Sequence, residues 1–576
     1  MSEVEERRWR LYALLAVIAG CVLVLVARLV YIQLFQHEHY SSLAAGEHWQ
    51  KDVVAASRGA IRDSSGSILA TTVAYESLYA DTGLIADPAE TARRLAPAID
   101  EPSDGLREKL SDRQSSPLLL RAGLSAEQAD RVRDLHLAEL RLRAEPRRVH
   151  PEGNLAAQVL GVVGVDGHGL SGLEVAFDAD LAGEPGWVLA ERDTGGDEIA
   201  LGAREARPPI DGADVTLTLD RHVQRVVEEE LAAAIAGQGA SGGSAVVLDP
   251  RTGGILALAS EPGLRFDDPE LFDESHLALF RIPAADDLYE PGSVFKIVTL
   301  AAALDARVVE PETTILDTGS FAYGGGVVRD AVIAPPRPAT MADVLARSLN
   351  VGAAYAATTL GAPRFYEYVG AFGFREPAGS GLPGEPAGLV KLPGEPGWSD
   401  FELAANSFGQ GIAVTPLQLA MAVAAVANGG TRLQPYVVAA VDGPAGRRVF
   451  HPAIVRQVIR GETARKLGRM LQATVDYSED GKLRLSRVPG YRVAGKTGTA
   501  EVPTGRGYDP RATVASFAGY APAEDPRFVV LVKIDGPRDG AWGETAAAPV
   551  FRRIAQRLLV YYRVPPSGDR LAELRR

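Results

Sequence analysis

The first apolar stretch, Leu11 to Ala27, is uncharged for 17 residues, the lower edge of what crosses a bilayer as a helix. Past Arg28 it continues as Leu29-Val30-Tyr31-Ile32, and it reaches a comfortable length if that arginine snorkels to the interface. Arg58 to Ala70 reads as a hairpin: an extended piece, an Asp63-Ser-Ser-Gly66 turn, then a strand. Residues 87–145 are rich in Ala, Arg, Glu and Leu and read as short helices with exposed charge. Gly161 to Gly172 is dense in glycine and has no lysine to hold a phosphate, so it reads as tight turns around a packed platform.

Asp211 to Asp220 alternates polar and apolar residues and reads as the start of a new unit. Arg221 to Ile235 follows as an amphipathic helix. Ser244 to Ser260 gives two strands about a Pro250-Arg-Thr-Gly253 turn, with the composition of a buried antiparallel hairpin. Val514 to Pro522 and Arg527 to Asp535 are two more adjacent strands, and Thr545 to Tyr562 closes the pattern with a helix. This order predicts an α+β domain: one antiparallel sheet with strands from both ends of the segment, covered by helices. Residues 563–576, with Pro565-Pro566 and mixed charge, read as a loose tail.

A length of 576 residues allows two or three domains. The net charge of −14, without a basic stripe, excludes a nucleic-acid partner. The one cysteine, Cys21, lies inside the apolar run, which excludes intrachain disulfides and multi-cysteine metal sites. Arg7, Arg8 and Arg10 precede that run, and no Lys or Arg occurs from Gln33 to Gln50. The positive-inside rule then leaves residues 1–10 in the cytoplasm and everything after the helix outside. A cleaved signal peptide competes, with small residues at Ser42-Leu-Ala-Ala45, but these lie far beyond the apolar run.

Candidate chemistry centres on Tyr289-Glu-Pro-Gly-Ser-Val-Phe-Lys296. Ser293 and Lys296 are three apart, so on a helix they share a face. A hydroxyl needs a base, and a lysine serves as one only when neutral, which apolar burial and a helix N-terminus both favour. The chain has eight lysines, and no other forms a Ser-x-x-Lys pair. A capped core helix with a snorkelling lysine fits the same spacing. Ser348-Leu-Asn350 is unique as Ser-x-Asn, a hydroxyl to relay a proton and an amide to hold a peptide group, or simply an asparagine-bearing turn. Ala494-Gly-Lys-Thr-Gly-Thr-Ala500 holds the one Lys-Thr-Gly, where Lys496 supplies charge and Thr497 and Thr499 supply hydroxyls. Gly498 between them leaves room for another backbone. Gly490 to Thr497 also matches the phosphate-loop spacing, although Tyr491 to Ala494 is strand-like.

In the order Ser-x-x-Lys, Ser-x-Asn, Lys-Thr-Gly, the chain resembles a class B penicillin-binding protein, the membrane-anchored peptidoglycan D,D-transpeptidase. Arg58-Gly…Asp63…Gly66…Leu69-Ala70 and Gly161 to Asp178 resemble the motifs of the family's pedestal domain. Trp398-Ser399 and Ser407 to Leu419 resemble the segment before the third motif, and Tyr-Glu-Pro-Gly-Ser is most like the cell-division (FtsI) branch. Two departures stand out: Val149-His150 replaces the aromatic that often follows the basic pair, and Asp476 to Pro489 lacks the usual Gly-Thr pattern.

The resemblance implies a β-lactamase-like transpeptidase fold behind a mainly extended pedestal and one transmembrane helix. The segments would be a cytoplasmic tail at 1–10, the helix at 11–32, a pedestal or dimerisation domain at 33–210, the transpeptidase domain at 211–563 and a tail at 564–576. It implies Ser293 as nucleophile, Lys296 as base and Ser348 as proton relay. Asn350, Lys496, Thr497, Gly498 and Thr499 would bind substrate, and the N–H groups of Ser293 and Thr499 would form the oxyanion hole. Partners implied are peptidoglycan stem peptides, β-lactams, an FtsW/RodA-type membrane glycosyltransferase and divisome proteins. Neither metal nor cofactor is called for. A serine β-lactamase would need a Glu-x-x-Leu-Asn, and the nearest match, Glu402-Leu-Ala-Ala-Asn406, fails at the leucine. An elongation-branch transpeptidase and a simple D,D-carboxypeptidase also compete. A divisome scaffold that has lost catalysis would need a broken motif, and none of the three is broken.

Overall fold

The computed structural model describes residues 3–37, 49–113, 116–191, 199, 204–332, 334–477, 484–504, 507–568 and 570. The Ser42–Ala45 segment, the candidate cleavage site, lies outside them. The chain forms two compact units, residues 1–56 with 183–211, and residues 57–182 with 212–576.

In the first unit, α1 (Glu3–Phe35) is one helix of 33 residues. Its Arg8–Phe35 portion, 28 residues, is long and apolar enough to cross a membrane. The apolar side chains along it are exposed, as a lipid-facing surface requires. The unit also holds a three-stranded antiparallel sheet, in which Gly186–Glu191 pairs with Trp49–Val54 on one side and Arg204–Arg207 on the other.

The second unit opens with the hairpin of β1 (Ile61–Arg62) and β2 (Ile68–Ala80). Its turn is tied by Asp63, whose Oδ1 accepts from the N–H groups of Ser65 (2.9 Å) and Ser67 (2.8 Å). β2 is flanked by β3 (Leu118–Leu124) and β4 (Leu140–Val149). Both strands fall where the sequence reads as helix. The helices there, Pro88–Ile99, Ser103–Ser111 and Ala126–Asp134, account for only part of the stretch. Leu140-Arg-Leu-Arg143 is highly charged but alternates with period two, and Leu142 faces Leu78 across the ladder. β5 (Asp214–Leu217) pairs with β1 and with Val438–Gly443, so this sheet takes strands from both sides of residue 211.

Beside this sheet the glycine-dense stretch forms the platform read from its turns. Glu174, fully buried, receives Arg58 Nε at 2.6 Å and Arg148 Nε at 2.7 Å, and Arg58 also reaches Asp178 at 2.6 Å. At the departure next to Arg148, His150 itself supplies an aromatic contact, stacking on Phe266 at 3.5 Å. Burial, then the Arg148 charge, push its pKa down to about 4, so the ring is neutral at pH 7.

The central sheet follows α2 (Arg221–Gln238). β6 (Gly242–Leu248) and β7 (Ile255–Glu261) form the first hairpin. A mostly helical section then carries α3 (Lys296–Asp305), α4 (Asn350–Leu360), α5 (Pro416–Ala427) and α6 (Gly461–Asp476). β8 (Ala494–Thr504), β9 (Gly507–Ala521) and β10 (Phe528–Asp535) complete the sheet in the order β7-β6-β10-β9-β8, antiparallel throughout. Alternation sends successive β10 residues to opposite cores. Val530 and Val532 pack with α2 and the last helix, α7 (Ala548–Tyr561), whereas Leu531 packs with α3 and α5. The C-terminal helix is broken at Ala547, where the short Gly543–Ala546 helix ends.

The described part of the C-terminal tail is docked rather than loose. Tyr491 donates its hydroxyl to Val564 O at 3.0 Å, Ser567 N–H bonds Gly490 O at 2.9 Å, and Arg570 pairs with Asp476 at 2.5 Å. Composition marked those residues as polar, but the partners that fix them lie 73 to 94 positions away.

Candidate active site

The nucleophile's turn is held from both sides by backbone. Tyr289 and Val414 exchange N–H···O bonds at 3.0 Å each, and Gly292 N–H donates to Gly409 O at 3.1 Å. Gly292 sits at φ 54°, where a Cβ would stand 2.7 Å from Thr499 O. Gly498, on the facing strand, leaves room in the same way: a Cβ there would stand 2.4 Å from Ser516 Oγ and 2.9 Å from Pro291 O. Edge strand β8 and the turn thus meet backbone to backbone. Gly292–Phe295 is a tight 3-10 turn that continues into α3, so Ser293 stays half-buried at the mouth while Lys296 goes fully under.

Lys296 Nζ lies 3.0 Å from Ser293 Oγ, 2.6 Å from Ser348 O, 3.2 Å from Ser348 Oγ and 2.7 Å from Asn350 Oδ1. Burial, then the Lys496 charge, push its pKa well below the ordinary lysine value, against the pull of Asp330. The third motif closes the ring. Lys496 Nζ donates to Ser348 Oγ at 2.9 Å and to Thr497 O at 3.0 Å. Its pKa is lowered to about 7 by burial and then by Arg484, with Glu544 opposing. Ser348 Oγ therefore sits between two buried amines, the geometry of a proton relay. Thr497 and Thr499, on the partly exposed face of β8, bracket buried Gly498, and Thr499 Oγ1 accepts from Gly543 N–H at 3.0 Å. All eight residues singled out in the sequence are thus gathered around Ser293 and the β8 edge.

Asp330 belongs to this constellation, and no sequence motif marked it. Its Oδ1 accepts from Asn350 N–H (2.5 Å) and Val351 N–H (3.0 Å), capping α4 and fixing where the Asn350 side chain begins. Asn350 Nδ2 meanwhile donates to Arg329 O at 2.9 Å. Burial raises the Asp330 carboxyl, and nearby Asp317 adds to this. A lone aspartate 20 positions before the motif gave no spacing signal. Arg484, which tunes Lys496, lies in the stretch with the unusual sequence; residues 478–483 of that stretch are outside the described residues.

The phosphate-loop match fails on geometry. From Ala494 the chain is strand rather than a loop entering a helix, and Lys496 is engaged by Ser348 and Thr497. Glu402, the residue a β-lactamase would need, lies in the Asp400–Asn406 helix 3.9 Å from Lys391.

Comparison with known proteins gives the same picture. Residues 243–556 match the penicillin binding protein transpeptidase domain, and residues 53–217 match the penicillin-binding protein dimerisation domain. The chain is 34% identical to penicillin-binding protein PbpB of Mycobacterium tuberculosis, over 96% of this chain and 85% of that protein. To the peptidoglycan D,D-transpeptidase FtsI of Escherichia coli it is 31% identical, over 96% of this chain and 92% of that one. A crystal structure of penicillin binding protein 3 from M. tuberculosis complexed with aztreonam superposes with a TM-score of 0.70 at 31% identity, covering 90% of this chain and 99% of that chain. Two domain matches in tandem, relatives that align almost end to end, and three motifs converging on one serine make this chain a class B penicillin-binding protein, a transpeptidase domain preceded by the family's dimerisation domain.

Proposed function

We propose that the protein is a peptidoglycan D,D-transpeptidase that cross-links stem peptides through an acyl-enzyme on Ser293. The observation that carries this reading is Lys296: a fully buried amine, pushed toward its neutral form, 3.0 Å from a mouth-facing serine hydroxyl. Neutral Lys296 takes the Ser293 proton as Oγ adds to the carbonyl of the penultimate D-alanine. The N–H groups of Ser293 and Thr499 face the oxyanion, and Thr497, Thr499 and cationic Lys496 receive the terminal carboxylate. Asn350 holds the donor's amide backbone. Ser348 Oγ, bonded to both amines, returns the proton to the departing D-alanine nitrogen. An amine of a neighbouring strand then attacks the ester carbon, and Ser293 Oγ leaves as the hydroxyl. β-Lactams acylate Ser293 along the same path.

The same reading puts residues 1–10 in the cytoplasm and the catalytic domain outside, supported by the arginines that precede the apolar run of α1. Its cellular role is septal wall synthesis beside an FtsW/RodA-type polymerase, supported by the Tyr-Glu-Pro-Gly-Ser sequence and by the FtsI relative. The test is intact-mass spectrometry of the full-length protein in detergent after exposure to benzylpenicillin, with Ser293→Ala alongside. The expected result is a long-lived adduct that the variant lacks. Turnover without an adduct makes the protein a β-lactamase, and neither adduct nor turnover makes it a scaffold.

A further inference from the structure

Lys496 is 1% exposed, and among the described residues neutral oxygens hold its amine: Ser348 Oγ, Thr497 O and Thr497 Oγ1, at 2.9, 3.0 and 3.3 Å. No carboxylate is bonded to it, so its charge is decided by groups further off, whose fields carry through buried protein. Across the ladder β9 presents Ala518, which has no charge. On α3, Lys296 shares Ser348 Oγ with it. Asp330, at the cap of α4, acts on Lys296. Arg347, one residue before Ser348, is taken by Asp317 at 3.6 Å, and Asp476, at the end of α6, by Arg570 at 2.5 Å. Arg484 and Glu544 complete the set.

Arg484 stands between α6 and β8, in the stretch that lacks the usual Gly-Thr pattern. Its Nη2 donates to Ala346 O at 3.1 Å, at the end of the Met341–Ala346 helix and two positions before Ser348. Its Nη1 lies 3.8 Å from Glu544, and its Cζ lies 5.6 Å from the centre of the Tyr477 ring. Glu544 accepts from Leu485 N–H at 2.7 Å. It belongs to the Gly543–Ala546 helix, whose first residue donates its N–H to Thr499 Oγ1 at 3.0 Å. That helix has no slack, because a Cβ on Gly543 would stand 2.3 Å from Gly498 O. The pair therefore spans from the helix before the second motif to the helix that holds the third. Its two charges act on Lys496 in opposite senses: Arg484 drives the amine toward neutral and Glu544 toward the cation.

We propose that Arg484 and Glu544 are positioning residues of this centre. They tie the Ser348 motif to the Lys496 strand, and their charge balance sets the pH range over which Lys496 receives a carboxylate-bearing donor. This rests on the transpeptidase reading above. No side chain of the three motifs supplies such a balance, since the other charged group they hold, Lys296, is itself a cation when protonated. Both partners are partly exposed, at 31% and 24%, so neutralising either one strands no deeply buried charge.

The experiment follows benzylpenicillin acylation of the full-length protein in detergent across pH, with thermal unfolding alongside. Arg484→Gln removes the charge that favours the neutral amine, so the alkaline limb should move up by about half a pH unit or more. Glu544→Gln keeps an acceptor oxygen for Leu485 but removes the charge that favours the cation, so the limb should move down by about as much. Arg484→Lys keeps the charge without the fork and should leave the limb in place. A penicillin methyl ester, with no carboxylate to attract, should show no limb in any of them. A purely structural role gives no shifts of opposite sign. Shifts in one direction, no shift, a wild-type profile without the limb, or a limb that persists with the ester each overturn the proposal. Should Arg484→Gln not fold, the downward shift in Glu544→Gln decides alone. Wild-type protein that benzylpenicillin does not acylate overturns the transpeptidase reading instead.

Discussion

Removing the Ser348 hydroxyl separates catalysis from stability. In Ser348→Ala, Lys296 keeps its bonds to Ser293 Oγ, the Ser348 carbonyl and Asn350, at 3.0, 2.6 and 2.7 Å. Lys496 keeps Thr497 O at 3.0 Å and Thr497 Oγ1 at 3.3 Å. Neither amine is orphaned, so the stability cost is that of one hydrogen bond, about 1 kcal/mol. Catalysis loses more, because that oxygen is the atom bonded to both amines, at 3.2 and 2.9 Å. Losing a positioned proton carrier costs on the order of 10²-fold or more, about 2.7 kcal/mol of barrier. Ser348 also sits at φ 58°, a strained angle for a residue with a Cβ. Ser348→Gly relieves that strain while deleting the same hydroxyl. The assay is the second-order rate of benzylpenicillin acylation by stopped-flow, beside thermal unfolding. Both variants should fold, with the glycine variant no less stable than the alanine one, and both should acylate at least about 100-fold more slowly. A Ser348→Gly rate within threefold of wild type refutes the relay.

Acylation by benzylpenicillin should decline as pH rises through about 7, where Lys496 gives up the charge that attracts the drug's carboxylate; a penicillin methyl ester, lacking that carboxylate, should show no such limb. Gly498→Ala should slow acylation by an order of magnitude or more and destabilise by about 1–3 kcal/mol, since its Cβ would stand 2.4 Å from Ser516 Oγ; urea unfolding and drug labelling check both effects. Arg58→Ala should cost about 3–5 kcal/mol, because Glu174, fully buried, would keep a single cation; a urea midpoint close to wild type contradicts this. Asp330→Ala should remove the α4 cap at a cost of about 1 kcal/mol and loosen Asn350, which a thioester donor analogue reports as a raised KM.

Local order along the chain was enough for several conclusions. The apolar run after three arginines marks α1, and the two short hairpins and the C-terminal helix follow from period and turn residues. The three motifs name every reacting side chain, because each includes a lysine or an asparagine, and the chain has only eight lysines and four asparagines. Composition misled: β3 and β4 lie where it spoke for helix, and pairing on either side of β2 makes both of them strands. Other features exist only once the chain is folded. Lys496 and Ser348 are 148 positions apart, and burial, then the Arg484 charge, rather than local sequence lower that lysine to about 7. Asp330 becomes a cap only because its loop packs onto α4. Sequence decides which groups are present; the distances and desolvation that tune their charge are properties of packing, which no linear spacing carries.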